Sequence, residues 1–166
     1  MLDDDAIARL RAETPGCALT THFNHAGASL TPHAVVAAIT EHLHREALHG
    51  PHEAAASVMD KIEAARADAA ALINAAPEEI AFLSSGSTAW GAVFAALPPF
   101  KAGDRMLTGR QEWGGNVATM QAAAERAGAT LEVIPSRDDG GVDPEALARM
   151  IDDRVRLIAL TWCPAN

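Results

Sequence analysis

The sequence contains little of what marks secreted, membrane-spanning or nucleic-acid-binding proteins. Its two cysteines, Cys17 and Cys163, lie far apart without CxxC spacing, which gives no support to a disulfide or a zinc site. No apolar run approaches the roughly 20 residues that cross a bilayer, and the first residues are acidic where a secretory signal is basic. With 13 Lys and Arg against 22 Asp and Glu, nucleic acid is not an expected partner. We therefore expect a cytoplasmic protein that binds neither membranes nor nucleic acid.

Nucleotide-binding signatures are also missing. No G-x-G-x-x-G opens a helix after a predicted strand, and the pattern G-x-x-x-x-G-K-[ST] does not occur, which argues against a Rossmann dinucleotide site and a P-loop. The 166 residues are 49% hydrophobic and 21% charged, a balance typical of a globular protein with a sizeable core. A chain of this length corresponds to one domain or to part of one.

Apolar patterns with helical and strand periods alternate along the second half of the chain. The sequence predicts helices over residues 3–13, 32–48, 53–74, 90–97, 116–127 and 144–151, and strands over residues 80–83, 105–108, 130–135 and 155–161. This alternation predicts an α/β fold with a mainly parallel sheet flanked by helices. Ligands of such sheets bind beyond the carboxyl ends of the strands, so the loops that leave the strands matter most.

The first of these loops is built from small polar residues, Ser84-Ser85-Gly86-Ser87-Thr88. It is predicted to enter a helix directly, which would leave the backbone N–H groups of Gly86, Ser87 and Thr88 unpaired beside two hydroxyl groups. The positive end of the helix dipole favours a phosphate group at such a turn. An ordinary Ser/Thr helix cap without a ligand fits the same residues, so both interpretations stay open at this point.

Two later loops also carry unusual residues. Residues 109–116 place Trp113 next to two glycines, with Asn116 as a candidate helix cap. A tryptophan at this edge of a sheet offers a flat face to an aromatic ligand or, equally, fills a gap in the packing. The last predicted strand leads into Thr161-Trp162-Cys163-Pro164-Ala165-Asn166, and an α/β chain that stops there looks incomplete.

The order of these three loops resembles the large domain of fold-type I pyridoxal-phosphate enzymes, within the class V aminotransferase and cysteine desulfurase group. Ser87-Thr88 stands where that family carries an Ala-Thr or Ser-Thr pair, and Glu112-Trp113 resembles its acidic residue followed by an aromatic ring. The segment from Thr161 to Asn166 is similar to a Thr-His-x-x-x-Asn motif in which Trp162 replaces the usual histidine. Residues 22–29 are similar to the family's opening element. Together with residues 45–54 and the turn at residues 87–90, this element looks most like the branch with ergothioneine-type carbon–sulfur lyases and isopenicillin epimerase-like proteins.

The resemblance implies pyridoxal 5'-phosphate as the cofactor and an amino acid as the substrate. It implies that the cofactor phosphate is bound by Gly86, Ser87 and Thr88. It also implies that Trp113 covers the cofactor ring and that Asn166 contacts the phenolic oxygen of the ring. Asn24 and His25 would face the substrate. Residues 1–75 would form a helical, substrate-facing segment and residues 76–166 the first part of the cofactor domain. A homodimer and carbon–sulfur bond cleavage, by a lyase or desulfurase, are expected, with aminotransferase or epimerase activity as alternatives.

The resemblance also implies that catalytic groups are missing. The family needs a lysine that forms a Schiff base with the cofactor aldehyde and an aspartate that pairs with the ring nitrogen, and both follow the segment at which this chain ends. The two lysines, Lys61 and Lys101, do not stand at that family position. The chain is therefore expected to be inactive alone, and a non-catalytic truncated paralogue or split subunit, serving as a binding or assembly module, is the alternative.

A histidine cluster invites a metal-binding interpretation. Four histidines fall within eleven residues, namely His42, His44, His49 and His52. They form no i, i+4 pair, which a helical metal site would require, so the sequence favours a solvated helix face and no metal.

Overall fold

The structure is a computed structural model that describes residues 2–25 and 27–162. The chain divides into two compact units, Met1–Phe82 and Leu83–Asn166. Within the described residues, no helix has both the length and the apolar character needed to cross a membrane.

The first unit is helical throughout its regular structure. Its helices are α1 (Asp4–Ala12), α2 (His33–His49), α3 (Pro51–Ala56) and α4 (Met59–Ile73), with short 3-10 helices at Pro15–Ala18 and Pro77–Glu79. Helix α1 begins where the Asp3 carboxylate accepts a hydrogen bond from the Ala6 N–H at 2.8 Å. Helix α4 ends at Asn74, whose left-handed backbone lets the Ala75 N–H reach the Ala70 carbonyl at 2.9 Å.

The long helix predicted over residues 53–74 is wrong, because the structure contains α3 and α4 in its place. The break lies at Ser57 and Val58. The Ser57 hydroxyl donates to the Ala54 carbonyl at 2.7 Å, and the Val58 N–H bonds three residues back, to Ala55, instead of four. A serine that bonds the preceding turn offers the backbone an alternative to a continuous helix.

The strand predicted over residues 80–83 is also wrong. Ile80 has extended backbone angles, but none of these residues joins a ladder among the described residues. The Arg66 side chain contacts this segment where a strand would otherwise pair. Its Nη1 donates to the Ile80 carbonyl at 2.6 Å, and its guanidinium carbon lies 5.9 Å from the centre of the Phe82 ring. The apolar run is therefore an extended segment supported by a side chain.

The second unit contains the sheet. Its helices are α5 (Gly86–Ala96), α6 (Gly114–Ala127) and α7 (Pro144–Met150), and its strands are β1 (Arg105–Thr108), β2 (Thr130–Val133) and β3 (Val155–Ala159). The strands pair in the order β2-β1-β3, and both pairings are parallel. This arrangement confirms the predicted α/β fold with a parallel sheet flanked by helices.

The core of this unit lies between β1 and α6. Met106 of β1 and Met120 of α6 are fully buried and cluster with the buried Ala123, Ala124 and Ala159, and Trp90 packs against this cluster. Small alanines on the inner face of α6 allow the helix to approach the sheet closely. Helix α6 ends at Gly128, whose φ of 68° lies in the left-handed region that glycine adopts most readily.

A charged network joins the amino-terminal ends of the strands. Arg105 in β1 donates from Nε and Nη2 to the two carboxylate oxygens of Glu132 at 2.6 and 2.7 Å, and from Nη1 to the Met150 carbonyl at 2.8 Å. It also lies 3.1 Å from Asp152. The Arg105 hydrogen bonds lower the pKa of Glu132, while hydrogen bonds and charge from Arg154, helped by Arg105, lower the pKa of Asp152 to about 2.

This network predicts that the second unit loses stability in acid. A carboxylate whose pKa is lower in the folded than in the unfolded state stabilises the fold at pH values above its unfolded pKa. This stabilisation is lost as the pH falls through the folded pKa. For this network, we expect the loss between about pH 5 and about pH 2. The variant Arg105→Gln is expected to have a lower urea midpoint at neutral pH and a smaller further loss over that range. As a control, Arg149→Gln removes an exposed arginine that lies 3.9 Å from Glu145 and should unfold like the wild type. An Arg105→Gln profile parallel to that of the wild type would contradict the prediction.

Candidate functional site

Helix α5 begins with two backbone N–H groups that have no acceptor among the described residues, those of Gly86 and Ser87. The helix cap is Ser85, whose Oγ accepts a hydrogen bond from the Thr88 N–H at 3.1 Å and whose carbonyl accepts from the Ala89 N–H at 3.0 Å. The expectation of an unpaired Thr88 N–H is therefore wrong. The other two N–H groups are available to an anion.

Hydroxyl groups surround this helix start. Thr88 Oγ1 lies 2.9 Å from Ser85 Oγ and 3.3 Å from Ser84 Oγ. Residues 84–88 are all exposed, and a Cβ built on Gly86 would meet no heavy atom within 4 Å. The turn is thus both polar and open, as a phosphate group of 2− charge requires.

Trp113 directly precedes helix α6 and is its N-cap residue. Its carbonyl accepts from the N–H groups of Asn116 and Val117 at 2.9 and 3.1 Å. Asn116, the cap expected from the sequence, instead lies in the first turn and donates from Nδ2 to Glu112. The Trp113 side chain is 63% exposed, so it is not a packing residue within the described part of the chain.

The Trp113 indole lies over the first turn of α6. A Cβ built on Gly115 would come within 3.2 Å of the indole Nε1 and 3.3 Å of Cδ1, whereas one built on Gly114 would meet nothing within 4 Å. Gly115 is therefore the residue that leaves room for the indole. One part of the ring is supported by the helix start, and the rest is open to solvent.

The loop after β1 meets the end of β3. Glu112 Oε1 accepts hydrogen bonds from the Trp113 N–H, Asn116 Nδ2 and Thr161 Oγ1, each at 2.9 Å. A cleft of about 420 Å³ lies between these two segments and the turn at residues 136–142, where Ser136 and Val142 form an antiparallel bridge. The exits of β1 and β3 therefore meet at this edge of the sheet. Asn166, predicted to contact the cofactor, lies outside the described residues.

Lys101 lies away from the loops that leave the carboxyl ends of the strands. It precedes β1, and its N–H donates to Asp104 Oδ2 at 2.8 Å, at the end of the strand opposite to Gly109 and Trp113. Four strand residues span about 13 Å, so the length of β1 separates the Lys101 backbone from the strand exits. Lys61, the other lysine, lies on α4 in the first unit.

In the first unit, Asn24 and His25 lie in an exposed loop. Asn24 Oδ1 accepts from the Gly27 N–H at 3.2 Å, and the Asn24 carbonyl accepts from the Ala28 N–H at 2.9 Å. The His25 ring stands edge-on to His22 with 4.6 Å between ring centroids, and His22 Nε2 donates to the Ala28 carbonyl at 2.8 Å. Both predicted substrate residues thus lie side by side in an exposed part of the first unit.

The histidine cluster forms no metal centre among the described residues. No group of three histidine, cysteine, aspartate or glutamate side chains there has the geometry to hold a metal ion. His42 instead lies 3.3 Å from Glu46, one turn further along α2.

Sequence reasoning did not identify the hydrogen-bonding roles of three site residues, which the structure shows: Ser85, Glu112 and Thr161. A serine three residues before Thr88 is a recognisable capping signal. No comparable signal connects Glu112 with Thr161, because 49 residues separate them.

Comparison with known proteins identifies the family of this chain. A family model, "Aminotransferase class-V", matches residues 21–165. A cysteine desulfurase of Salmonella gallinarum is 32% identical over 164 residues, which cover 92% of this chain and 39% of that protein. The chain therefore spans about 40% of the length of the relatives it matches.

Solved structures agree with the family match. A C-DES mutant with glycine covalently linked to its PLP cofactor superposes with a TM-score of 0.78 at 27% identity, covering 90% of this chain and 40% of the other. The apo cysteine desulfurase of Thermococcus onnurineus NA1 gives a TM-score of 0.78 at 28% identity, covering 96% and 40%. The sequence match and the shared sheet together show that this chain belongs to the class V aminotransferase family.

Proposed function

We propose that this chain supplies the phosphate-binding turn and the ring-covering side chain of a pyridoxal-phosphate enzyme that acts on an amino acid. The observation that carries the proposal is the open start of α5. There the N–H groups of Gly86 and Ser87 have no acceptor among the described residues, and the Thr88 hydroxyl lies beside them. Helix starts of this kind bind phosphate because their N–H groups and the helix dipole both attract anions.

The other predicted residues have complementary roles in the proposal. Trp113 would lie flat against the cofactor ring, for which its exposed indole is suited. Asn166 would contact the phenolic oxygen of the cofactor. Asn24 and His25 would face the substrate.

When bound, pyridoxal phosphate supplies an aldehyde and an electron-accepting ring that stabilises negative charge at the substrate Cα. The chain's own residues would anchor the phosphate and exclude water from one ring face. Neither lysine is placed to hold the aldehyde in this proposal: Lys101 lies at the opposite edge of the sheet, and Lys61 does not stand at the family position. The 166-residue chain is therefore proposed to bind the cofactor reversibly and to be inactive by itself.

Carbon–sulfur bond cleavage is the proposed reaction of the intact protein. This preference is supported by the names of its relatives, which include cysteine desulfurases and the cystine C–S lyase C-DES, solved with its product cysteine persulfide. Transamination and epimerisation are the alternatives within the same family. The intact enzyme is proposed to be a cytoplasmic homodimer.

A binding or assembly module without catalysis is the second candidate. The observation that favours it is again the position of Lys101, since the only lysine of the second unit lies away from the strand exits. Such a module would keep the fold and have no need of the cofactor.

The two candidates differ in cofactor binding. Titration of the 166-residue chain with pyridoxal phosphate should quench the emission of Trp113, and pyridoxal, which lacks the phosphate, should bind much more weakly. No visible absorbance of a lysine imine should survive dialysis. The variant Trp113→Leu should lose most of the quenching.

Trp162→Leu provides the matched control, because Trp162 is a second exposed tryptophan, 99% exposed and three residues beyond the end of β3. This variant should keep the quenching by pyridoxal phosphate. If pyridoxal and pyridoxal phosphate bind equally, or if neither binds, the cofactor proposal is wrong. The second candidate, a binding or assembly module without catalysis, is then the one that remains.

A further inference from the structure

We propose that Glu112 is a positioning residue that fixes the Trp113 indole and joins the loop after β1 to the end of β3. Its relevance to a cofactor ring rests on the proposed function of Trp113. The structural role itself concerns only the chain's own residues and is testable without any ligand.

One carboxylate oxygen makes all three contacts. Glu112 Oε1 accepts from the Trp113 N–H, Asn116 Nδ2 and Thr161 Oγ1, each at 2.9 Å. A carboxylate is suited to this task because it accepts several hydrogen bonds and donates none. Hydrogen bonds to a charged acceptor are also stronger than those between neutral groups. Glu112 thus holds three donors from separate positions in a fixed relation.

The contacts replace an ordinary helix cap. Trp113 has no side chain that could accept from the first turn of α6, and the structure shows no side-chain cap at this helix. The Glu112 carboxylate lies beside the start of α6, where the helix dipole favours negative charge. It therefore stabilises the backbone of Trp113 and the first helical turn together.

The indole is held from a second side by Gly115. A Cβ built on Gly115 would lie 3.2 Å from the indole Nε1 and 3.3 Å from Cδ1, so a methyl group at this position would require the indole to shift by a few tenths of an ångström. With its backbone bound by Glu112 and its ring resting on Gly115, Trp113 is oriented before any ligand arrives. Pre-oriented groups of this kind reduce the entropy lost on binding.

The contact with Thr161 extends the effect to another strand. Thr161 follows β3, and its hydroxyl makes the hydrogen bond that links this segment to Glu112. Removal of either partner should therefore loosen both segments, although they lie 49 residues apart in sequence. A residue with a purely local role would loosen only its own loop.

Amide hydrogen exchange and acrylamide quenching of the cofactor-free chain test the proposal, with Trp162→Phe as the background so that Trp113 is the exposed indole. Glu112→Ala should speed exchange at residues 110–116 and 160–162 by at least about tenfold and change the quenching of Trp113. Glu112→Gln retains an accepting carbonyl oxygen and should show a smaller change. Thr161→Val should loosen both segments without altering Glu112.

Two matched pairs complete the experiment. Glu125→Ala removes an exposed glutamate of α6 that accepts from Gln121 and should leave both segments unchanged. Gly115→Ala should displace the indole and change its quenching, whereas Gly114→Ala should not.

The decisive comparison is between the two segments. If Glu112→Ala leaves exchange at residues 160–162 at the wild-type rate, the proposal is overturned. If the alanine variant does not fold, Glu112→Gln and Thr161→Val are measured in its place, and a wild-type rate in both overturns the proposal. The same holds if Glu125→Ala has an equal effect. Because no cofactor is added, failure of the chain to bind pyridoxal phosphate would leave this result unaffected.

Discussion

Met106→Ala is expected to lower the free energy of unfolding of the second unit by about 2–5 kcal/mol, the range for removing a large buried side chain. Met106 lies in β1, is 0% exposed and packs with Met120, Ala124 and Ala159. Three of the four other buried residues in its cluster are alanines, which have no side-chain length with which to fill the vacated space. Urea unfolding followed by far-UV circular dichroism measures the loss.

Two substitutions control for this prediction. Val93→Ala shortens an apolar side chain of α5 that is 66% exposed, and it should change the free energy of unfolding by no more than about 0.5 kcal/mol. Met106→Leu keeps the buried volume and should cost less than about 1.5 kcal/mol. Equal effects of Met106→Ala and Val93→Ala would show that β1 and α6 do not form the core described here.

Elements with strong local signals could be predicted from the sequence. Strand β1 has the predicted bounds, because the apolar Met106 and Leu107 lie between segments that contain Gly103 and Gly109. Helix α7 begins at Pro144 as predicted, since the Asp143 carboxylate accepts from the N–H groups of Glu145 and Ala146. In both cases the determining residues are neighbours in the sequence.

The incorrect predictions depend on contacts that a local pattern does not contain. Residues 80–83 have the composition of a strand, but a strand exists only where another strand pairs with it, and here Arg66 bonds Ile80 instead. The helix over residues 53–74 is interrupted because the Ser57 hydroxyl bonds the preceding turn. Helical periodicity continues across this break, so the pattern gave no warning of it.

The candidate site shows the same division between local and distant information. The turn at residues 84–88 and the loop that carries Trp113 could be singled out from the sequence, because the residues of each are contiguous and directly precede a helix. The hydrogen bond between Glu112 and Thr161 was not, because it depends on two parallel strands ending at the same edge of the sheet. Sequence patterns identified the loops, and the sheet determines which of them meet.

Ser87→Asp is expected to stabilise helix α5 and at the same time to weaken binding of pyridoxal phosphate by tenfold or more. Ser87 lies in the first turn of α5 and its N–H has no acceptor among the described residues. A negative side chain near a helix start stabilises the helix by about 0.3–1 kcal/mol through the dipole. The same charge repels a phosphate dianion, and a repulsion of about 1.4 kcal/mol already reduces affinity tenfold.

The opposite signs of these two effects make the prediction specific to a phosphate site. A substitution that merely disturbed the fold would lower both stability and affinity, whereas a side chain remote from the ligand would leave affinity unchanged. Ser87→Asn, which has nearly the same shape as aspartate without its charge, should change affinity far less than Ser87→Asp. Pyridoxal should be bound almost equally by all three proteins, because it carries no phosphate to be repelled. If Ser87→Asp binds pyridoxal phosphate as tightly as Ser87→Asn does, the phosphate does not lie at the start of α5.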